Sequence, residues 1–204
     1  MIGELDLLAA LVMFCVVTLF TPGPNNVMLM TTGLNFGFRR ALPHIFGVAL
    51  GFGAMVFGIG LGLGAIVTAY PILYDVIKYL GAAYLLYLAW AIANAGPVEA
   101  DSEARGKPFT FLQAAAFQWV NPKAWVMAVG GISTYAAVAV FPLNVIVIAA
   151  LFGSLGIASG GLWVGFGTAL QQVLKNARAV RVFNLIMALL LVTSLYPIVA
   201  DAWS

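Results

Sequence analysis

Six apolar stretches of about 20 residues or more make up most of this chain, at roughly 5–33, 43–69, 74–94, 109–140, 143–170 and 182–202. A run of that length is what an α-helix needs to cross the hydrocarbon core of a bilayer, about 30 Å thick. No water is available there, so a spanning segment must satisfy its own backbone polar groups, as a helix does. Charge agrees with this reading. The chain is 63% hydrophobic and 8% charged, whereas a soluble domain carries about 25% charged residues. The sequence therefore predicts an all-α membrane protein, one transmembrane domain over 1–204 with six helices.

Several function classes recede at once. A net charge of +2, with the basic residues scattered through short connections, gives no footprint for nucleic acid. Cys15 is the one cysteine, so no internal disulfide or CxxC redox pair exists. No His, Asp, Glu and Cys cluster has metal-ligand spacing, and no cofactor is expected. Ser159 in Ala158-Ser159-Gly160 has Ile157 where a serine-protease-like motif would place glycine, and His44, the one histidine, lies elsewhere. An enzyme is not expected. Glu4 and Asp6 stand where a secretory signal would carry basic residues, and no cleavage site follows, so the first apolar run reads as a transmembrane helix.

The basic residues orient the chain. Arg39 and Arg40 follow span one, Arg105 and Lys107 follow span three, and Lys175, Arg178 and Arg181 follow span five. The opposite side has Lys78 alone, an asymmetry of seven to one. Basic loops stay in the cytoplasm, so both termini are predicted to face the periplasm of a bacterial inner membrane. The polar stretch 95–108, with Glu99, Asp101 and Glu103, reads as a solvated connector.

The two halves echo each other. Pro22 aligns with Pro122, Gly53 with Gly153 and Gly60 with Gly160 at an offset of 100, and Lys78 with Arg181 at 103. Repeat one covers about 1–97 and repeat two about 106–204. Each holds three spans, an odd number, so the second must be inverted relative to the first. Inverted repeats characterise secondary transporters, whose sites lie near the midplane at the repeat interface.

Spans one and four are too long for straight helices. About 30 residues at 1.5 Å each measure about 45 Å. Each is interrupted, the first at Thr21-Pro22-Gly23-Pro24-Asn25-Asn26 and the second at Asn121-Pro122-Lys123. Proline removes a backbone donor and clashes with the preceding turn. Non-helical backbone at this depth is tolerated only where it lines a cavity or is buried in protein. Opened half-helices offer N–H groups to a carboxylate and C=O groups to an ammonium, which is what an amino-acid site requires. Helices one and four are thus predicted to break at these motifs and to form the site together. Lys123 is the one ionisable residue well inside a span, either a site charge or a snorkelling side chain. It is also a candidate proton carrier. His44, beside Pro43 at the start of span two, is a second, weaker candidate, since a histidine at an interface is usually solvated or capping. Gln118, ahead of the second break, faces either the site or a packing contact. The glycines of spans two and five read as close helix contacts.

At these residues the chain resembles a known family. TPGPNN at 21–26, GFRR at 37–40, GAAYLLYLAW at 81–90 and NPKAW at 121–125 are similar to the LysE/RhtB amino-acid exporters, over essentially the whole chain. Lys107-Pro108-Phe109, Gln118 and the tail from Asn184 to Val192 resemble the branch that exports cysteine and O-acetylserine. The resemblance implies export of amino acids from the cytoplasm, driven by protons. Some relatives carry an aspartate in span five, but Leu155 to Trp163 has none, which favours a neutral zwitterion over lysine. Cysteine or O-acetylserine comes ahead of homoserine or threonine. The implied partners are the amino acid, protons and membrane lipid, with a homo-oligomer left open. A passive channel and a non-transporting membrane scaffold are the competing readings.

Reporter fusions test the orientation. A reporter that requires the periplasm is expected to be active at both termini. Strong activity of a cytoplasmic reporter at the C-terminus would sink it.

Overall fold

Helix is the regular structure throughout residues 4–94, 107–174 and 176–195, which the computed structural model describes. In chain order these helices are α1 (Glu4–Phe20), α2 (Pro24–Phe36), α3 (Phe38–Gly58), a π-helical turn (Ile59–Leu63), α4 (Gly64–Ala69), α5 (Pro71–Ala93), α6 (Phe111–Gln118), α7 (Pro122–Thr134), a 3-10 turn (Ala136–Val138), α8 (Leu143–Val173) and α9 (Ala177–Thr193). Arg105, Lys175, both chain ends and the acidic connector lie outside the described residues. Arg39 and Arg40 belong to the first turn of α3, and Arg178 and Arg181 to α9, rather than to loops.

Both interruptions are present. The backbone leaves the helix between Phe20 and Pro24, and α1 and α2 meet at 56°. It leaves again between Gln118 and Pro122. Each outgoing helix has 13 residues and begins on a proline, Pro24 for α2 and Pro122 for α7. At that position a missing N–H costs nothing and the fixed φ suits the helix. The matching prolines are therefore 24 and 122, whereas sequence alignment pairs 22 with 122.

Span lengths differ from expectation. Phe38–Leu63 and Leu143–Gln171 are each long and apolar enough to cross a membrane, and the bent α1–α2 pair qualifies as a third. The predicted span 109–140 is divided into α6 of 8 residues, α7 of 13 and the short turn after it. Span two is also less regular than predicted, because Gly62 at φ 115 sits inside the π turn. That left-handed conformation suits glycine. Among the described residues the structure thus carries two or three clear apolar spans where the sequence predicts six.

The long helices α3 and α8 pack on each other more extensively than any other pair. Their contact is reciprocal. A Cβ on Gly53 would lie 3.3 Å from the Ala149 carbonyl and 3.6 Å from Gly153 Cα, and one on Gly153 would lie 3.8 Å from the Ala49 carbonyl. The rings of Phe52 and Phe152 meet edge to face at 5.1 Å. Gly53 and Gly153, Phe52 and Phe152, and Ala49 and Ala149 are each related by the sequence offset of 100. Around this seam Leu11, Cys15, Met127 and Ala128 complete one core, while Met28, Leu88, Phe117, Met187 and Leu191 form a second between α2, α5, α6 and α9.

Glycine sets the closest approaches. α2 crosses α8 with Gly33 against the Val164 backbone and Gly167 against the Met30 backbone, so neither site has room for a Cβ. Gly47 and Gly51 admit the backbone of α6 in the same way. Gly161 and Gly165, predicted as contacts too, instead have nothing within 4 Å of a built Cβ. Gly167→Ala is expected to halve, or worse, the protein recovered monodisperse from detergent, while Gly161→Ala leaves it unchanged. Size-exclusion profiles of fluorescent fusions would show the contrast, and equal behaviour would refute the packing account.

Candidate functional site

A helix end buried in a membrane leaves up to four backbone groups without partners, and the two breaks meet this problem differently. The second closes on itself. Trp119, Val120 and Asn121 donate to Ala116, Phe117 and Gln118 in successive tight turns. Trp125 Nε1 reaches back to the Trp119 carbonyl at 2.8 Å. Asn121 then caps α7, its Oδ1 accepting from the Lys123 N–H at 3.1 Å.

The first break relies on distant residues. Asn26 Nδ2 donates to the carbonyls of Leu19 and Thr21 at 2.8 and 2.7 Å. Ser159 Oγ, from α8, donates to the same Leu19 carbonyl at 2.8 Å. Lys123 Nζ, from α7, donates to the Thr21 carbonyl and hydroxyl, both at 3.0 Å, and to the Pro22 carbonyl at 3.3 Å. An ammonium has three donors, so all are engaged. The C-terminal end of α1 carries partial negative charge, and the Lys123 cation offsets it. Gly23 makes room for this crossing, since a Cβ there would lie 2.9 Å from Lys123 Cδ.

The breaks are also joined by an amide pair. Asn25 Nδ2 donates to Gln118 Oε1 at 2.8 Å, and Gln118 Nε2 donates to Asn25 Oδ1 at 3.1 Å and to the Ala114 carbonyl at 2.8 Å. Gln118 is fully buried. Its two sequence readings merge here, because it packs α6 by fixing a residue of the first break.

Between the breaks lies a cavity with about 470 Å³ of space free of protein atoms, its open mouth included. Gly23, Asn25, Asn26, Asn121 and Lys123 line it with Thr18, Ser159 and the apolar side chains of Val48, Phe52 and Met127. The N-terminus of α2 opens here without a side-chain cap. Among the described residues the backbone N–H groups of Asn25 and Asn26 have no acceptor, and neither does Asn121 Nδ2. Uncapped N–H groups beside a cation form an anion site. Lys123 is the one ionisable side chain in the lining.

The predicted site residues therefore divide. Gly23, Asn25, Asn26, Asn121 and Lys123 face the cavity. Thr21 and Pro22 hold the Lys123 ammonium from outside it. Pro24 and Pro122 begin the half-helices, and Gln118 supports Asn25. His44 stands apart from these residues. The sequence places it at an interface, but α3 begins at Phe38, so His44 lies nearly two turns inside, fully buried against Phe109. Its Nδ1 is 2.9 Å from Thr32 Oγ1. The Thr32 hydroxyl also lies 2.9 Å from the Met28 carbonyl. His44 does not line the cavity. Sequence reasoning missed Thr18 and gave Ser159 no binding role. A hydroxyl in an apolar span was the available signal in both cases.

Residues 16–194 match the family described as LysE type translocator. The cysteine/O-acetylserine efflux protein of Salmonella choleraesuis (strain SC-B67) is 33% identical over 187 residues, 91% of this chain and 94% of that protein. The protein of the same description from Escherichia coli (strain K12) is 30% identical over the same shares. No solved structure matches the chain significantly.

A double-mutant cycle tests the amide pair. Asn25→Ala leaves the buried Gln118 amide without its partner, which costs about 1–3 kcal/mol, and Gln118→Ala leaves the half-buried Asn25 amide, at the lower end of that range. The double variant is expected to be more stable than the sum by about 0.5–2 kcal/mol, the range of polar couplings between membrane helices. Thermal unfolding in detergent measures this, and strict additivity would mean the pair does not couple the breaks.

Proposed function

The chain belongs to the LysE family of translocators, and from that premise we propose that it exports a small neutral amino acid from the cytoplasm. The observation that carries this reading is the cavity between two broken helices, with N–H groups that lack an acceptor and one cation among its lining residues. A substrate carboxylate fits the N-terminal end of α2, where the helix dipole, the free N–H groups and Lys123 all favour negative charge. No carboxylate appears among the lining residues, so nothing is present to neutralise a second positive charge on a substrate. That favours a zwitterion over lysine. We put cysteine and O-acetylserine ahead of homoserine and threonine, a choice supported by the relatives named for efflux of those two compounds.

Six spans in two inverted repeats form the architecture we favour. The reciprocal contacts of Gly53 with Ala149 and Gly153 with Ala49, and of Phe52 with Phe152, support a pseudo-two-fold axis between α3 and α8. Self-complementary contacts of this kind arise where equivalent surfaces meet. A site near such an axis suits alternating access rather than a fixed pore. The membrane is the bacterial cytoplasmic membrane, with both termini outside. Proton antiport supplies the energy, and Lys123 is its preferred carrier. An arriving carboxylate competes for the ammonium that now holds Thr21 and Pro22, and substrate release outward frees Lys123 to lose its proton.

Counterflow in proteoliposomes with a panel of amino acids is the decisive measurement. Cysteine or O-acetylserine is expected to exchange, and arginine and lysine are not. An imposed proton gradient should drive net flux and an uncoupler should abolish it, whereas a passive channel would ignore both. Lys123→Met is expected to lower exchange about a hundredfold at equal abundance, the weight of a lost charge-assisted hydrogen bond. Lys123→Arg should keep exchange but lose proton-driven flux, because arginine does not readily deprotonate. Full activity of Lys123→Met would remove the residue from the site.

A further inference from the structure

An amino acid presents an ammonium as well as a carboxylate, and the cavity has no carboxylate to receive it. The helix-end carbonyls, the obvious substitutes, are already in use. The Leu19 carbonyl accepts from both Asn26 and Ser159, filling its two lone pairs. The Thr21 carbonyl accepts from Asn26 and Lys123. Among the lining amide oxygens, Asn25 Oδ1 accepts from Gln118 and Asn121 Oδ1 from the Lys123 backbone, while Asn26 Oδ1 accepts from none of the described residues.

The lining also holds two hydroxyls, Thr18 on α1 and Ser159 on α8. A hydroxyl has one proton and two lone pairs. Thr18 Oγ1 directs its proton to the Phe14 carbonyl at 2.6 Å, and Ser159 Oγ directs its own to the Leu19 carbonyl at 2.8 Å. Both therefore offer only lone pairs to a ligand. Ser159 is 3% exposed, so its lone pairs face a largely dry interior.

We infer that Thr18 and Ser159 form an acceptor subsite for the substrate's α-ammonium, opposite in character to the free N–H groups of Asn25 and Asn26, the Asn121 amide and the Lys123 cation. This inference rests on the export reading and makes it more specific. The ligand class is a molecule with a free, protonated amine beside a carboxylate. Two neutral acceptors hold an ammonium without adding a fixed negative charge, and hydrogen bonds to an ion strengthen at low dielectric. The side chain is left to Phe52, Met127 and Val48, which accept small apolar or weakly polar groups. N-acylated or deaminated analogues lose the subsite while keeping the carboxylate contacts.

The test compares two inhibitors of labelled L-cysteine counterflow, under reductant. One is unlabelled L-cysteine and the other is 3-mercaptopropionate, the same molecule without its ammonium. In the wild type L-cysteine is expected to compete at least tenfold better, roughly the worth of one hydrogen bond to a charged group. In Thr18→Val and Ser159→Ala that ratio should fall toward one through weaker cysteine binding, with 3-mercaptopropionate unchanged. Thr18→Ser and Ser159→Thr keep a hydroxyl and should restore the ratio. Equal loss of both inhibitors would make the two residues structural and overturn the subsite, as would an unchanged ratio in both variants. If either apolar variant fails to reach the membrane, its conservative partner decides, since a wild-type-like ratio there is required. If the wild type exchanges no amino acid at all, the export reading falls and the subsite with it.

Discussion

A broken helix inside a membrane must find partners for the backbone groups it exposes, and this requirement organises the molecule. The first break finds them far away in sequence. Lys123, Ser159 and Asn26 converge on Leu19, Thr21 and Pro22 from three helices. Those bonds bring α7 and α8 against the end of α1 and so enclose the cavity. The second break satisfies itself with tight turns, Trp125 and the Asn121 cap, and serves as the fixed side.

Satisfying one end of the break leaves the other available. The Leu19 and Thr21 carbonyls at the end of α1 each accept from two protein donors, while the N–H groups of Asn25 and Asn26 at the start of α2 have no acceptor among the described residues. The cavity is therefore polarised before any ligand arrives. Pre-set dipoles of this kind bind charge without reorganising. The same asymmetry explains why one cation suffices. Lys123 offsets the negative end of α1 while standing beside the positive end of α2, so its charge is compensated within the protein and remains within reach of an anion.

Much of this was legible in the sequence where the information is local. Proline and glycine dictate backbone behaviour within a few residues, so TPGPNN and NPK marked both breaks and five of the cavity-lining residues. Lys123 stood out because a charge in an apolar run is costly. What stayed hidden depends on which faces meet. His44 looked interfacial because nothing nearby in sequence shows that α3 starts at Phe38 and turns the ring toward Thr32 and Phe109. Thr18 and Ser159 looked ordinary because their significance lies in where their protons go. The six-span expectation suffered differently. Hydropathy registers α6, its break and α7 as one apolar run, yet 8 and 13 residues separated by a turn do not make one straight span.

The attachment of α2 bears on how the molecule can move. Asn25 ties its start to Gln118 on α6, and Asn35, near its end, exchanges a reciprocal amide pair with Asn184 on α9 at 3.1 and 3.2 Å. Along its length Gly33 and Gly167 lock it to α8. α2 thus precedes the chain's midpoint yet is fastened mechanically to the half that follows it. The two halves are interleaved, like two hands with one finger exchanged, and cannot rock apart as separate blocks. Any change in the angle between α1 and α2 would fall on the three residues between Phe20 and Pro24. The joint that shapes the cavity is then also the elbow of the machine.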